Sequence, residues 1–376
     1  MAERETVRIT GTYALSALGR GADALLAGVL TGTPAFGPVR RFDTTGRRVT
    51  VAATAPDVGT LADELADAID TAAGAAGLDR AGRAESALFL ATHGGPHSLP
   101  VPEGRDAPTV PALAGHLAAR CGLGGRTRIY TTACVSASSA VADAAALIRR
   151  GDLERVVVAA GYLVEPDQYA LFDAGRALAA DGAVRPFSAG RKGLLLGDGV
   201  AAVVLESASA AARRGAETVA TVTGWGRAGD AYHACQPHPE GLGLARAVEA
   251  ALRRGGLPPD AVGYVNANAT GTPFSDASEA AALTRVFGDG AGRLPVSSTK
   301  SVHGHALEAS GLLELLVTVL ALRHGKLPVT AGWLGPDPQC PLDVIRDAPR
   351  PARTAHALTL NAAFGGANTA LLVSAA

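Results

Sequence analysis

Four short stretches concentrate the residue types that do chemistry. Residues 131–140, TTACVSASSA, place Cys134 after an apolar strand and at the mouth of a helix. Free N–H groups and partial positive charge at a helix start favour thiolate over thiol, so a lowered pKa and a nucleophilic role are expected there. The alternative is a buried, inert thiol. Residues 297–311, SSTKSVHGHALEASG, crowd Lys300, His303 and His305 around a glycine-containing turn. A neutral histidine there can donate to a developing oxyanion or act as a base, and a lysine can hold a carboxylate. Two solvated loop histidines, or an HxH metal pair lacking further spaced ligands, are the alternatives.

Residues 361–370, NAAFGGANTA, end a strand at Asn361 and continue into two glycines. Such glycines free backbone N–H groups to line an oxyanion hole, or simply close a tight turn between strands. Residues 265–272, VNANATGT, begin as a strand and dissolve into small polar residues around Asn268. The hydroxyls of Thr270 and Thr272 suit an amide-rich ligand arm; a plain turn is the other reading.

These stretches need elements to hold them, and strands and helices alternate along the chain. Residues 61–76 read as an amphipathic helix with Leu61, Leu65, Ile69 and Ala73 on one face. Residues 86–92, 155–160 and 200–205 read as buried strands, and 137–150 as a helix closed by Arg149, Arg150 and Gly151. From about residue 218 the plan recurs: a strand running into glycine, a helix over 244–254 and a strand over 262–265. A polar loop over 299–304, an apolar helix over 311–323 and two closing strands follow. Two copies of one α/β plan, residues 1–212 and 213–376, are the economical reading.

The 376 residues carry a net charge of −1, with 48% hydrophobic and 18% charged residues. That composition supports a large core and argues against nucleic acid or an anionic membrane as main partner. The first residues lack an apolar signal region, and no apolar run reaches the length of a spanning helix. Four cysteines without paired spacing suggest neither a disulfide framework nor zinc, and a cytoplasmic location is expected. No metal, nucleotide or flavin site is evident, so no cofactor is expected.

Taken in order, TTACVSASSA, RPFSAGRKGLLLGDGVAAVVLE, NATGTPFSDASEAAAL, STKSVHGHALEASG and FGGANTALLV resemble the β-ketoacyl synthase family of the thiolase superfamily. The resemblance runs from Val7 to Ser374. It implies a thiolase fold, two duplicated α/β halves packed as a five-layered αβαβα core. It implies that Cys134 accepts an acyl group from a pantetheine thioester on an acyl carrier protein. By the same resemblance His305 lies near the thioester oxygen, and Lys300 supports the site with Glu314. Thr270 and Thr272 hold the pantetheine arm, and the backbone N–H groups of Cys134 and Phe364 form the oxyanion hole. A homodimer, or a heterodimer with a ketosynthase homologue, is implied too.

Three departures qualify the implied activity. Asn268 stands where the family's HGTGT motif has its histidine, and asparagine donates a hydrogen bond without titrating. Ala362 and Ala363 precede Phe364 where a gating glycine and phenylalanine are usual. The chain is short for the family, with the shortfall expected at 35–60 and 95–110. Acyl loading onto Cys134 with possible condensation to a second thioester is the expectation, in polyketide or fatty-acid-type biosynthesis. A non-elongating or non-catalytic partner subunit, a thioester-cleaving editor, and a cyclase or ester-forming enzyme are the alternatives.

Overall fold

The computed structural model describes residues 5–94 and 109–376, so the expected shortfall near 95–110 falls mostly outside the described residues. Its centre is a sheet built from two equivalent halves. The N-terminal half holds β1 (Val7–Ser16), β2 (Ala87–Ala91), β3 (Thr127–Tyr130), β4 (Arg155–Tyr162) and β5 (Gly199–Ser207). The C-terminal half holds β6 (Ala220–Gly229), β7 (Tyr264–Asn266), β8 (Pro295–Ser297), β9 (His356–Ala363) and β10 (Ala367–Ala375).

Strand order runs β3-β2-β4-β5-β1 in the first half and β8-β7-β9-β10-β6 in the second. Both read third, second, fourth, fifth, first. Both have parallel inner pairs and antiparallel closing strands. The halves meet where β1 pairs with β6, from Val7 opposite Val222 to Ile9 opposite Ala220. The duplication expected from the recurring strand–glycine pattern is therefore visible in the sheet.

Helices complete the layers. The amphipathic α1 (Leu61–Ala75) packs on β1, β4 and β5. Thr60 caps it, its side chain accepting from the Asp63 N–H. On the other side α2 (Ser136–Arg149) touches strands of both halves, as does α6 below, so these two form the middle layer. α3 (Leu242–Gly255) covers β6 and β10, with α4 (Pro273–Phe287) beside it. The short α5 (Lys300–His303) leads to α6 (Ser310–His324). Every residue of α6 from Ser310 to Leu322 is buried, as a helix between two sheets must be. Three apolar clusters, one central and two outer, match this layering.

The two central helices start almost in contact. A Cβ on Gly311 would sit 2.7 Å from the Ser138 backbone nitrogen, so only glycine permits this approach. That brings the starts of α2 and α6 together. The 299–304 stretch corrects the sequence reading: it is no polar loop but the buried helix α5. Its residues Lys300 and Ser301 face partners inside the protein rather than water.

Candidate functional site

Cys134 lies on a single helical turn, Ala133–Val135, between β3 and α2. Ala133 holds φ at +50°, a left-handed conformation that costs an L-residue energy and aims the next side chain inward. From the facing helix start, His305 brings its Nε2 to 3.2 Å from the Cys134 Sγ. The His305 Nδ1 lies 2.8 Å from the Ser310 Oγ, which also accepts from the Ala306 N–H at 3.1 Å. Ser310 thus fixes the ring. It sits inside a motif quoted for other reasons, and nothing in the sequence marks it as the holder of His305.

Burial reverses one expectation. The Cys134 thiol is pushed up to about 12 by desolvation and then by the Glu308 charge, against a lowering by Lys300. The helix start does not produce a resting thiolate. Burial, with Lys300 and His303 adding to it, also drives the His305 imidazole far below its usual range. Thiol and imidazole are both neutral and share one hydrogen bond. Neither histidine of the loop is solvated. His303 is buried with its Nδ1 2.9 Å from the Gly304 carbonyl and its Nε2 3.0 Å from the Thr299 Oγ1. It does not line the cavity at Cys134.

Lys300 is buried and ion-paired to Glu314, Nζ to Oε1 at 2.5 Å. The other Glu314 oxygen accepts from Asn361 Nδ2 at 2.6 Å. Burial raises the Glu314 pKa and Lys300 opposes that shift. The ammonium also reaches Asn268, 3.4 Å from its Oδ1. A lysine has only donors, so the amide oxygen must be the atom that faces it. The Asn268 backbone N–H donates to Glu279 at 2.8 Å.

Thr270 and Thr272 stand together, Oγ1 to Oγ1 at 3.1 Å. The Asp276 carboxylate accepts from the Thr270 and Gly271 backbone N–H groups and ties the loop to the Phe187 N–H. Phe364 sits at the tip between β9 and β10, exposed, with its ring stacked 6.0 Å from that of Phe172. Together Cys134, His305, Asn268, Thr270, Thr272 and Phe364 line one cavity of about 140 Å³. Four segments far apart in sequence converge there. Leu194, Phe172, Asp230, Cys235 and Phe274 also line it; Leu194 and Phe274 fall inside quoted motifs, but none of the five was singled out from the sequence. A larger groove of about 740 Å³ runs past Pro258, Arg285 and Leu294 but holds no nucleophile, so size does not identify the site. Among the described residues no cluster of His, Cys, Asp or Glu suits a metal ion, and no helix is long and apolar enough to cross a membrane.

Comparison with known proteins agrees with this geometry. Residues 100–211 match the β-ketoacyl synthase N-terminal domain and residues 219–333 match its C-terminal domain. Nodulation protein E of Rhizobium leguminosarum bv. trifolii is 43% identical over 263 residues, covering 69% of this chain and 64% of that protein. The 3-oxoacyl-[acyl-carrier-protein] synthase 2 of Staphylococcus aureus is 35% identical over 271 residues, covering 70% of this chain and 67% of that protein. The matched stretch thus spans about two thirds of these relatives' length. Among solved structures, the ishigamide ketosynthase/chain length factor superposes with a TM-score of 0.91 at 28% identity, covering 100% of both chains.

Proposed function

This chain belongs to the β-ketoacyl synthase family, with the thiolase fold of its structural neighbours. We propose that it loads an acyl group from an acyl carrier protein thioester onto Cys134. The 3.2 Å contact between Cys134 Sγ and His305 Nε2 carries this reading. Because burial keeps both groups neutral, the resting bond is a thiol donating to an imidazole nitrogen. As Sγ attacks the thioester carbonyl, a new C–S bond forms and the thiol proton passes to Nε2. The carbonyl oxygen takes the negative charge at backbone donors assigned to Cys134 and Phe364. The C–S bond to pantetheine then breaks, and its sulfur leaves with the proton from His305. Acyl-cysteine and free pantetheine thiol are the products, and the neutral pair is restored. Thr270 and Thr272 line the mouth through which the arm would enter. The S. aureus relative is named as a synthase of a 3-oxoacyl-[acyl-carrier-protein], and that carrier supports the choice of donor.

A second reading, condensation with a carboxylated thioester, is favoured by the contact between Lys300 and Asn268. With Oδ1 held by the ammonium, the Asn268 Nδ2–H group is left for the cavity that Asn268 lines. There it can donate to the enolate oxygen formed as CO2 leaves. The donor cannot titrate, so the site stabilises an oxyanion without supplying a proton. No cofactor is required by either reaction. Pairing with a second ketosynthase-type chain is also proposed. Among the described residues β3 (Thr127–Tyr130) ends the sheet with a partner on one side only, and the ishigamide neighbour is named as a ketosynthase/chain length factor.

Incubation with an acyl carrier thioester and intact-mass measurement tests the first reading. The wild type is expected to gain one acyl mass, and Cys134→Ala none; an acylated Cys134→Ala would overturn the assignment. Adding a malonyl thioester to the loaded protein tests the second. A ketoacyl product supports condensation, and persistent acyl-enzyme contradicts it.

A further inference from the structure

A second thiol lines the cavity and has no part in the reaction above. Cys235 is exposed and shares that lining with Cys134, Asn268, Thr270 and Thr272. Cys121 and Cys340 are buried and lie outside it. The loop that carries Cys235 is strapped to the Phe364 tip. The Ala234 carbonyl accepts from the Gly365 N–H at 2.8 Å, and the Asp230 N–H donates to the Gly366 carbonyl at 2.8 Å. The Asp230 carboxylate accepts from Asn368 Nδ2 at 2.9 Å. The His233 Nδ1 accepts from the Cys235 and Gln236 N–H groups at 3.0 and 3.1 Å. The thiol is thus held at the exposed rim of the cavity.

Asn268 marks the cavity as a ligand site. It is 2% exposed and lines the cavity, and among the described residues its Nδ2 has no acceptor. A buried donor without a partner is costly, so an oxygen of whatever enters completes it. A pantetheine arm entering at Thr270 and Thr272 passes the same rim as Cys235, and loading at Cys134 leaves that arm with a free thiol. Two such thiols join as a disulfide when oxidised. Cys134 competes poorly for it: the residue is 8% exposed, and its thiol is hydrogen-bonded to His305 and pushed up to about 12 by burial.

We propose that Cys235 is a modification site for pantetheine-type disulfides, which close the cavity through a mixed disulfide at its rim. This rests on the arm entering at Thr270 and Thr272 as proposed above. Cys235 gives its proton to water, and its sulfur attacks one sulfur of the pantetheine disulfide. A Cys235–pantetheine S–S bond forms and the old S–S bond breaks. The second pantetheine leaves as a thiolate and takes up a proton, so no further oxidant is needed. The bound arm occupies the mouth, and acyl loading stops until a thiol reductant reverses the exchange.

The test incubates the full chain with pantetheine disulfide or with hydroxyethyl disulfide, which is neutral and has no amides. Intact and peptide mass follow the adduct, and acyl loading of Cys134 is then measured. Cys235 is expected to react with pantetheine disulfide about tenfold faster or more, the worth of one good hydrogen bond. Loading is expected to fall in step with that adduct and to return with dithiothreitol. Cys235→Ser is expected to keep its own untreated loading rate in pantetheine disulfide. Equal rates for the two disulfides would show only an exposed thiol and overturn the site. An adduct on Cys134, or a Cys235 adduct that leaves loading unchanged, would overturn it too. No loading by the untreated protein would instead remove the loading reaction, leaving the adduct rates to decide the rim site by themselves.

Discussion

In the N-terminal half-sheet, β3 runs through the single turn Ala133–Val135 straight into α2. In the C-terminal half-sheet, β8 runs through α5 and the turn Leu307–Ala309 before α6 begins. These are the same strand–helix connection in two copies of one plan, and they carry different chemistry. The first delivers one thiol. The second delivers Lys300 and His305, and α6 adds Ser310 and Glu314. Both connections store backbone strain next to the site, at Ala133 with φ +50° and at Leu307 with φ +41°. Duplication puts two helix starts face to face. Divergence then lets one side hold the proposed nucleophile while the longer one holds the groups proposed to move protons and charge.

Removing the proton partner should separate the two connections most sharply. His305→Ala is expected to slow single-turnover acylation of Cys134 by about 10²–10⁴-fold, the usual worth of a positioned acid–base group. Rapid-quench mass measurement reads this rate, and an unchanged rate would place the proton elsewhere. Breaking the buried ion pair tests the C-terminal connection as a scaffold. Glu314→Ala leaves the Lys300 ammonium buried without its carboxylate and is expected to cost about 3–5 kcal/mol in denaturant unfolding. A loss below about 1 kcal/mol, within the range of an exposed pair, would contradict the buried geometry.

A gentler probe is pH. Burial raises Glu279 from its usual 4.5 to about 8. Between those values the folded state keeps a proton that the unfolded chain has released. Stability therefore falls as pH rises from 4.5 to about 8 and levels off above. Asp276, raised to about 6, adds a slope of the same sign at the lower end. Glu279→Gln retains an acceptor for the Asn268 N–H and is expected to flatten the fall in Tm across that window. An undiminished slope would show that Glu279 is ionised in the fold. The smallest effect concerns the strained turn. Ala133→Gly relieves the left-handed conformation and is expected to shift stability by about 1 kcal/mol or less, strain relief being offset by added chain entropy. A loss of several kcal/mol would mean that the Ala133 methyl group packs the site.

Much of the fold was legible because its signals are local. Apolar runs such as RVVVAA can only be buried strands, and the glycines after them mark the strand ends. The recurrence of strand into glycine near residue 218 announced the duplication that β6 to β10 display. The resemblance brought Cys134, His305, Lys300, Glu314, Asn268, Thr270 and Thr272 together on motif order, and the structure places them around one site. Electrostatics was not legible. A helix start predicts a lowered thiol pKa, but the penalty that wins at Cys134 comes from burial, a property of the whole assembly. Similarly, the polar composition of 299–304 suggested a loop, although Lys300 and Ser301 find buried partners elsewhere in the chain and His303 bonds to Thr299 and Gly304 within the stretch. The ring-fixing Ser310 and the pairing of His93 with Glu308, 215 residues apart, leave no pattern in the chain.

The central claim is that Cys134 and His305 rest as a neutral, hydrogen-bonded pair, so that acylation moves a proton between them. The alkylation rate of Cys134 by iodoacetamide, followed against pH by peptide mass, measures this most directly. With the thiol pushed up to about 12, the rate should climb about tenfold per pH unit through the neutral and alkaline range without levelling. A plateau reached near neutral pH would reveal a resting thiolate–imidazolium pair and contradict the account.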